Sequence, residues 1–204
     1  MNMQLFGAAA SSQLAQRISV AWPWYITRAS GMVAALLLIL LILTGVGTLT
    51  GYEFKFLSPI RAWANHRRLG IAFAVMVGIH GASLLLDHYI TFNIFQVFIP
   101  FTSHYRSTKL FGVSVGSLGV ALGITAMYAI AVVLYTSWKW IGTRAILWKR
   151  LHLLSYLILV LVLFHSLMVG SDVRYGLFRL AWIMLNVLVG IVIVVRIRRV
   201  GSLE

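Results

Sequence analysis

Four apolar stretches of this chain reach or approach the length of a membrane span, running for 18 to 29 residues without an aspartate, glutamate, lysine, arginine or proline: Ala29 to Tyr52, Leu69 to Leu86, Leu110 to Trp138 and Leu151 to Ser171. A helix needs about 20 apolar residues to cross the hydrocarbon of a bilayer, so each stretch reaches or approaches a span. A fifth, Leu180 to Val195, is shorter, but Arg179 and Arg196 can snorkel to the two interfaces and lengthen it. A composition that is 61% hydrophobic, with a mean hydropathy of +0.94, also makes lipid the main solvent. The expected fold is an all-α integral membrane protein, a bundle of about five transmembrane helices near 29–51, 67–88, 111–137, 149–170 and 179–197.

Residues 1–24 read as a polar lead-in, 25–199 as one transmembrane domain and 200–204 as a tail. Arg17 interrupts the lead-in and no charged region precedes an apolar one there, so no cleaved signal peptide is expected. The segment 90–104 is apolar but short and holds Pro100, which predicts an interfacial or re-entrant piece.

The net charge of +13 does not form a stripe on a soluble face. Its cations gather at the ends of apolar runs, which argues against nucleic acid and for membrane lipid as a partner. Lys55, Arg61, Arg67 and Arg68 follow the first run; Lys139, Arg144, Lys149 and Arg150 follow the third; Arg196, Arg198 and Arg199 follow the fifth. The opposite ends hold Arg17, Arg28, Arg106, Lys109, Arg174 and Arg179. The heavier set marks the cytoplasmic side, placing the N-terminus outside and the C-terminus in the cytoplasm.

Cysteine is absent, which removes disulfides, cysteine-bound zinc, iron–sulfur clusters and covalently attached c-type haem. No glycine-rich turn of the dinucleotide-binding kind occurs either, so a flavin or nicotinamide domain has to come from another chain. Histidine is the good ligand that remains.

Ligand-type side chains inside a span are costly unless partnered, and four histidines occupy such positions. His66 and His80 bracket the inner half of the second span, and His152 and His165 do the same in the fourth. Both runs start on the cytoplasmic side, so His66 is level with His152 and His80 with His165. At about 1.5 Å per residue the two levels are about 21 Å apart on one helix and about 20 Å on the other. An imidazole on each side of a shared space is what a six-coordinate haem iron takes, and two such levels would stack two b-type haems along the membrane normal. The 14-residue spacing leaves His66 and His80 about 40° apart around an ideal helix; the 13-residue spacing leaves His152 and His165 about 140° apart, so that helix has to tilt, bend or change its winding. His88 and His104 read as ordinary hydrogen-bonded residues. The two helices also echo each other: Trp63 stands three before His66 and Trp148 four before His152, while Asp87 and Asp172 each stand seven after an outer histidine.

At His66-Arg67-Arg68-Leu69-Gly70 with His80, and at Trp148-Lys149-Arg150-Leu151-His152 with His165, the chain resembles the ferric reductase-like transmembrane domain family. That family includes the membrane portions of NADPH oxidases and ferric reductases and the haem subunit of a periplasmic methionine sulfoxide reductase. The likeness is closer to short bacterial members with a Trp-Tyr-x-Thr-Arg-x-Ser-Gly motif before the first span, here Trp24 to Gly31. It extends to Ile-Pro-Phe-Thr-Ser-x-Tyr-Arg at Ile99 to Arg106 and Gly-Ser-Asp at Gly170 to Asp172, and covers about Trp24 to Arg198.

The resemblance implies a bacterial cytoplasmic membrane protein in which His66 and His152 ligate a cytoplasmic-side haem b, and His80 and His165 an outer one. It implies that spacings of 14 and 13 belong to the fold. By position, Arg67, Arg68 and Arg150 would meet propionates of the inner haem, or serve as positive-inside anchors; Tyr105 and Arg106 would do the same job outside. The leading expectation is a membrane electron-transfer component of an oxidoreductase, fed by a cytoplasmic flavoprotein or a quinol and delivering to an outward acceptor. The alternatives are an assembly or anchoring subunit of a larger redox complex, and a transporter whose histidines relay protons or bind metal. Asp87 and Asp172 are expected to overhang the outer level, either as a dock for a cation or basic partner or as counter-ions to Arg106, Arg174 or Arg179.

Overall fold

The computed structural model describes residues 3–51, 55, 57–106, 109–110 and 113–201. Residues 1–2 and 202–204, and residues 111–112 at the start of the expected third span, lie outside the described residues. Helix α1 (Met3–Leu49) runs for 47 residues through Pro23, so the lead-in is helical from Met3 and joins the first span without a turn. Gly51 follows its end at φ 67°, a conformation that costs glycine little.

Helix α2 (Pro59–Leu84) starts where Ser58 is extended and Pro59, with no N–H to satisfy, opens the first turn. Helix α3 (Ile94–Phe98) is a single capped turn and a half, with Asn93 and Gln96 bonding each other's backbone N–H in a capping box. Two short antiparallel strands, β1 (Lys109–Leu110) and β2 (Val113–Ser114), lead into α4 (Gly116–Lys139). Helices α5 (Ala145–His152) and α6 (Leu154–Val169) meet at Leu153, and α7 (Gly176–Gly201) starts at a glycine of φ 75°.

Among the described residues, four helical stretches are long and apolar enough to cross a membrane: Val20–Leu49, Gly116–Lys139, Ala145–Val169 and Gly176–Arg196. That compares with about five expected from the sequence. Helix α2 is 26 residues long, but it ends at Leu84, with Leu85 and Leu86 already in a turn; an 18-residue stretch ending there takes in Arg67 and Arg68.

Helix α1 packs along α2 and α4 along α6, while α7 rests against α1. The core is a layer of Leu38, Ile39 and Ile42 of α1, Phe73 of α2, Ile130 of α4, Ile158 and Leu159 of α6 and Val189 of α7. Outward-facing Ile71, Val75, Leu157, Val160 and Leu188 are exposed, as lipid-facing positions should be. The segment after α2 reverses at Pro100 and Phe101 (φ 68°) and returns along α4. Tyr128 Oη donates to the Phe98 carbonyl at 2.8 Å, and Ser117 Oγ donates to that of Ser103. Tyr128 lies twelve residues into α4, about 18 Å along its axis, so the end of α3 is held alongside the middle of α4.

Candidate functional site

The antiparallel packing of α1 on α2 sets a register in which two glycines of α1 meet the two histidines of α2. A Cβ at Gly45 would stand 3.4 Å from the His66 ring, and one at Gly31 would stand 2.9 Å from His80. Gly31 and Gly45 are 14 residues apart, as are His66 and His80. On the other hairpin a Cβ at Gly123 would come within 2.5 Å of His165. Each absent side chain lets an imidazole lie flat against the neighbouring helix.

The rings are then held through one nitrogen. His80 Nδ1 lies 2.9 Å from the Thr27 carbonyl and His165 Nδ1 2.8 Å from that of Gly119, each carbonyl four residues before the facing glycine. A carbonyl can only accept, so both rings carry their proton on Nδ1 and present a bare Nε2. His66 Nδ1 lies 3.1 Å from Thr44 Oγ1, whose own hydrogen goes to the Leu41 carbonyl, so here too Nδ1 donates. His152 Nδ1 lies 3.2 Å from Ser137 Oγ, which also accepts from Trp148 Nε1. Holding one ring nitrogen by an outer acceptor while freeing the other is how proteins orient a metal-binding histidine.

The histidines pair across the bundle at both expected levels. Ring centroids of His66 and His152 are 6.1 Å apart with planes at 53°, and those of His80 and His165 are 6.3 Å apart at 89°. An imidazole nitrogen binds a first-row metal at about 2 Å and lies about 1.1 Å from its own ring centre, so two rings sharing one ion from opposite sides stand about 6.2 Å apart. Both separations fit. Among the described residues α2 and α6 do not pack closely on each other, so their histidines meet across a gap, and all four rings are half-buried. The core layer of Leu38, Phe73, Ile130 and Ile158 separates the two levels.

The helix carrying His152 and His165 changes its winding beside the first of them. At Leu153 the ladder passes to a three-residue bond, Tyr156 N to Leu153 O at 3.1 Å, which is tighter than an α-turn. It is a local departure of the kind that the 13-residue spacing calls for, and it supplies part of the extra rotation.

The arginines lie elsewhere. Arg67, Arg68 and Arg150 are exposed, Arg67 over the Trp63 ring at 5.7 Å. Arg106, also exposed, joins His104, Tyr105 and Thr91 around an outward pocket. Asp172 pairs with Arg28 of α1: Arg28 Nε donates to Oδ2 at 2.8 Å and a second guanidinium nitrogen to Oδ1, while the guanidinium covers Trp24 at 4.1 Å. Asp87 is buried; Oδ1 accepts from Tyr89 N at 2.8 Å and Oδ2 has no partner among the described residues. A buried Asp87 and a paired Asp172 do not form a dock.

Sequence reasoning missed Gly31, Gly45 and Gly123 and the acceptors Thr27, Thr44, Gly119 and Ser137. The matching 14-residue spacing of the glycines was the available signal. Compared with protein-family models, curated proteins and solved structures, the chain matches none.

The Arg28 hydrogen bonds hold the Asp172 carboxyl below its ordinary 3.8, so the pair's contribution to stability is whole above that pH and is lost as pH falls through the lowered value. Asp172→Asn and Arg28→Gln should each lower stability by about 1 kcal/mol in detergent, and the double variant by little more than either. Additive losses in thermal melts would dissolve the pairing.

Proposed function

We propose that this chain is a b-type cytochrome-like subunit of the bacterial cytoplasmic membrane, a short member of the ferric reductase-like transmembrane domain family. It carries electrons across the bilayer on two bis-histidine haems, from a cytoplasmic flavoprotein or quinol to an outward acceptor. The observation that supports this best is the pairing: at two levels, two imidazoles stand about one shared metal ion's span apart, Nδ1 held behind. Among the described residues no group of three or more His, Cys, Asp or Glu gathers, so two protein ligands suit an iron whose other positions come from a planar macrocycle.

Bound there, haem supplies a reversible one-electron couple. His66 and His152 would hold the inner one, and His80 and His165 the outer. Arg67, Arg68 and Arg150, on the side of the inner pair, are the candidates for its propionates, and Arg106 for those outside. The apolar layer between the levels keeps water and ions from following the electron. Helix α2 is then a fifth span, shielded along its length by α1, with Arg67 and Arg68 at the cytoplasmic interface, the N-terminus outside and the C-terminus inside.

The test is the absorption spectrum of the purified protein before and after dithionite. Sharp low-spin b-type bands, with close to two haems per chain by pyridine haemochrome, are expected. A colourless preparation from haem-replete cells would sink the reading in favour of an assembly or anchoring subunit.

A further inference from the structure

The two histidine levels are held by different kinds of acceptor. At the outer level both Nδ1 atoms face backbone carbonyls, of Thr27 and Gly119; at the inner level both face side-chain hydroxyls, of Thr44 and Ser137. A carbonyl stays in place whatever residue bears it, whereas a hydroxyl can be removed by one substitution. We infer that Thr44 and Ser137 are positioning residues that act through His66 and His152 to set the reduction potential of the inner site alone. This rests on the haem reading above.

An acceptor on Nδ1–H draws the ring proton outward and makes Nε2 a stronger donor, which favours the more highly charged ferric ion. Thr44 is the clearer of the two. Its hydrogen is engaged by the Leu41 carbonyl at 3.1 Å, so toward His66 it acts as an acceptor. Ser137 is steadied by Trp148, whose indole donates to it at 3.2 Å and whose ring lies 5.4 Å from that of His152. Trp148 therefore fixes the hydroxyl and the imidazole together. The outer level has no counterpart: Thr27 Oγ1 turns to Ser83 Oγ at 2.7 Å, and its carbonyl serves His80.

Thr44→Val keeps the side-chain shape and removes the acceptor. In a redox titration of the full chain, one of the two haem components should become easier to reduce, its ferric-to-ferrous ratio at a fixed potential falling about tenfold, which is 59 mV for a one-electron couple. The other component should stay in place. Ser137→Ala should move the same component in the same direction, and Thr44→Ser should restore it. Selective loss of that component in Thr44→Val, with Thr44→Ser retaining it, would equally support a hydroxyl that holds the inner ring. Unmoved potentials at full haem content, or equal movement of both components, would overturn the positioning role. A wild-type protein without haem bands would instead overturn the reading beneath it.

Discussion

Replacing His165 with alanine should remove one of two low-spin haem components and take the haem content from about two per chain to about one, and His80→Ala should remove the same component. His66→Ala and His152→Ala should each remove the other. The expectation follows from the pairing, in which each ring has one opposite number: His66 stands 6.1 Å from His152 and His80 6.3 Å from His165. An iron left with one imidazole loses the symmetric strong field that makes it low-spin, and the losses should therefore come in two classes. The classes can be told apart in frozen solution. Planes crossing at 89° in the outer pair and 53° in the inner one give ferric signals of different anisotropy. Four distinct losses, or loss of both components from every variant at full expression, would contradict two independent levels.

The histidine levels were legible because they depend on quantities a single helix carries: depth along the axis and the side on which a residue falls. Those two quantities also exposed the one conflict, the 13-residue spacing between His152 and His165, and the tighter turn at Leu153 takes up part of it. That turn sits in an apolar run, Leu151-His152-Leu153-Leu154, with no proline or glycine to announce it. What surrounds the histidines was not legible in the same way. The bond from His80 to the Thr27 carbonyl joins residues 53 apart, and that from His165 to Gly119 joins residues 46 apart. Such contacts depend on how two helices slide against each other, which periodicity within one helix does not report.

The ends of elements were read less well than their middles. The polar residues before Trp24 suggested a lead-in, and in the structure helix runs through them from Met3, past Pro23, into the first span. Asp172 was expected to meet Arg106, Arg174 or Arg179 or to serve as a dock, and its partner in the structure is Arg28 of the first helix. Arg28 and Thr27 both belong to the Trp24 to Gly31 motif, as does Gly31, so that motif and the Gly170 to Asp172 motif converge around the outer histidines. Their meaning lay in the meeting, not in either segment.

Gly123→Ala should cost the outer component as surely as losing a ligand, although glycine 123 binds nothing. Its added Cβ would stand 2.5 Å from His165 Nδ1 and 2.6 Å from Cε1, closer than such atoms approach. The ring cannot simply yield, because Nδ1 is tied to the Gly119 carbonyl at 2.8 Å, and Gly119 lies where even a Cβ would meet Met168 and Val169 at 2.7 Å. Moving the ring breaks that bond and takes Nε2 off the line to His80; moving α4 away opens the α4–α6 packing. The effect should be graded around the bundle. Gly31→Ala, at 2.9 Å from His80 Nδ1, should weaken the same component less severely, and Gly45→Ala, at 3.4 Å from His66, should leave the inner component bound with at most a shifted spectrum. Gly78 is the control, exposed on α2 with nothing within 4 Å of its would-be Cβ, so Gly78→Ala should keep both components and add up to about 1 kcal/mol of helix stability. Haem content per chain, measured for the four variants purified side by side, reads the order directly. If Gly123→Ala retained the outer component while Gly78→Ala lost one, the close approach of the imidazoles to α1 and α4 would not be what seats them.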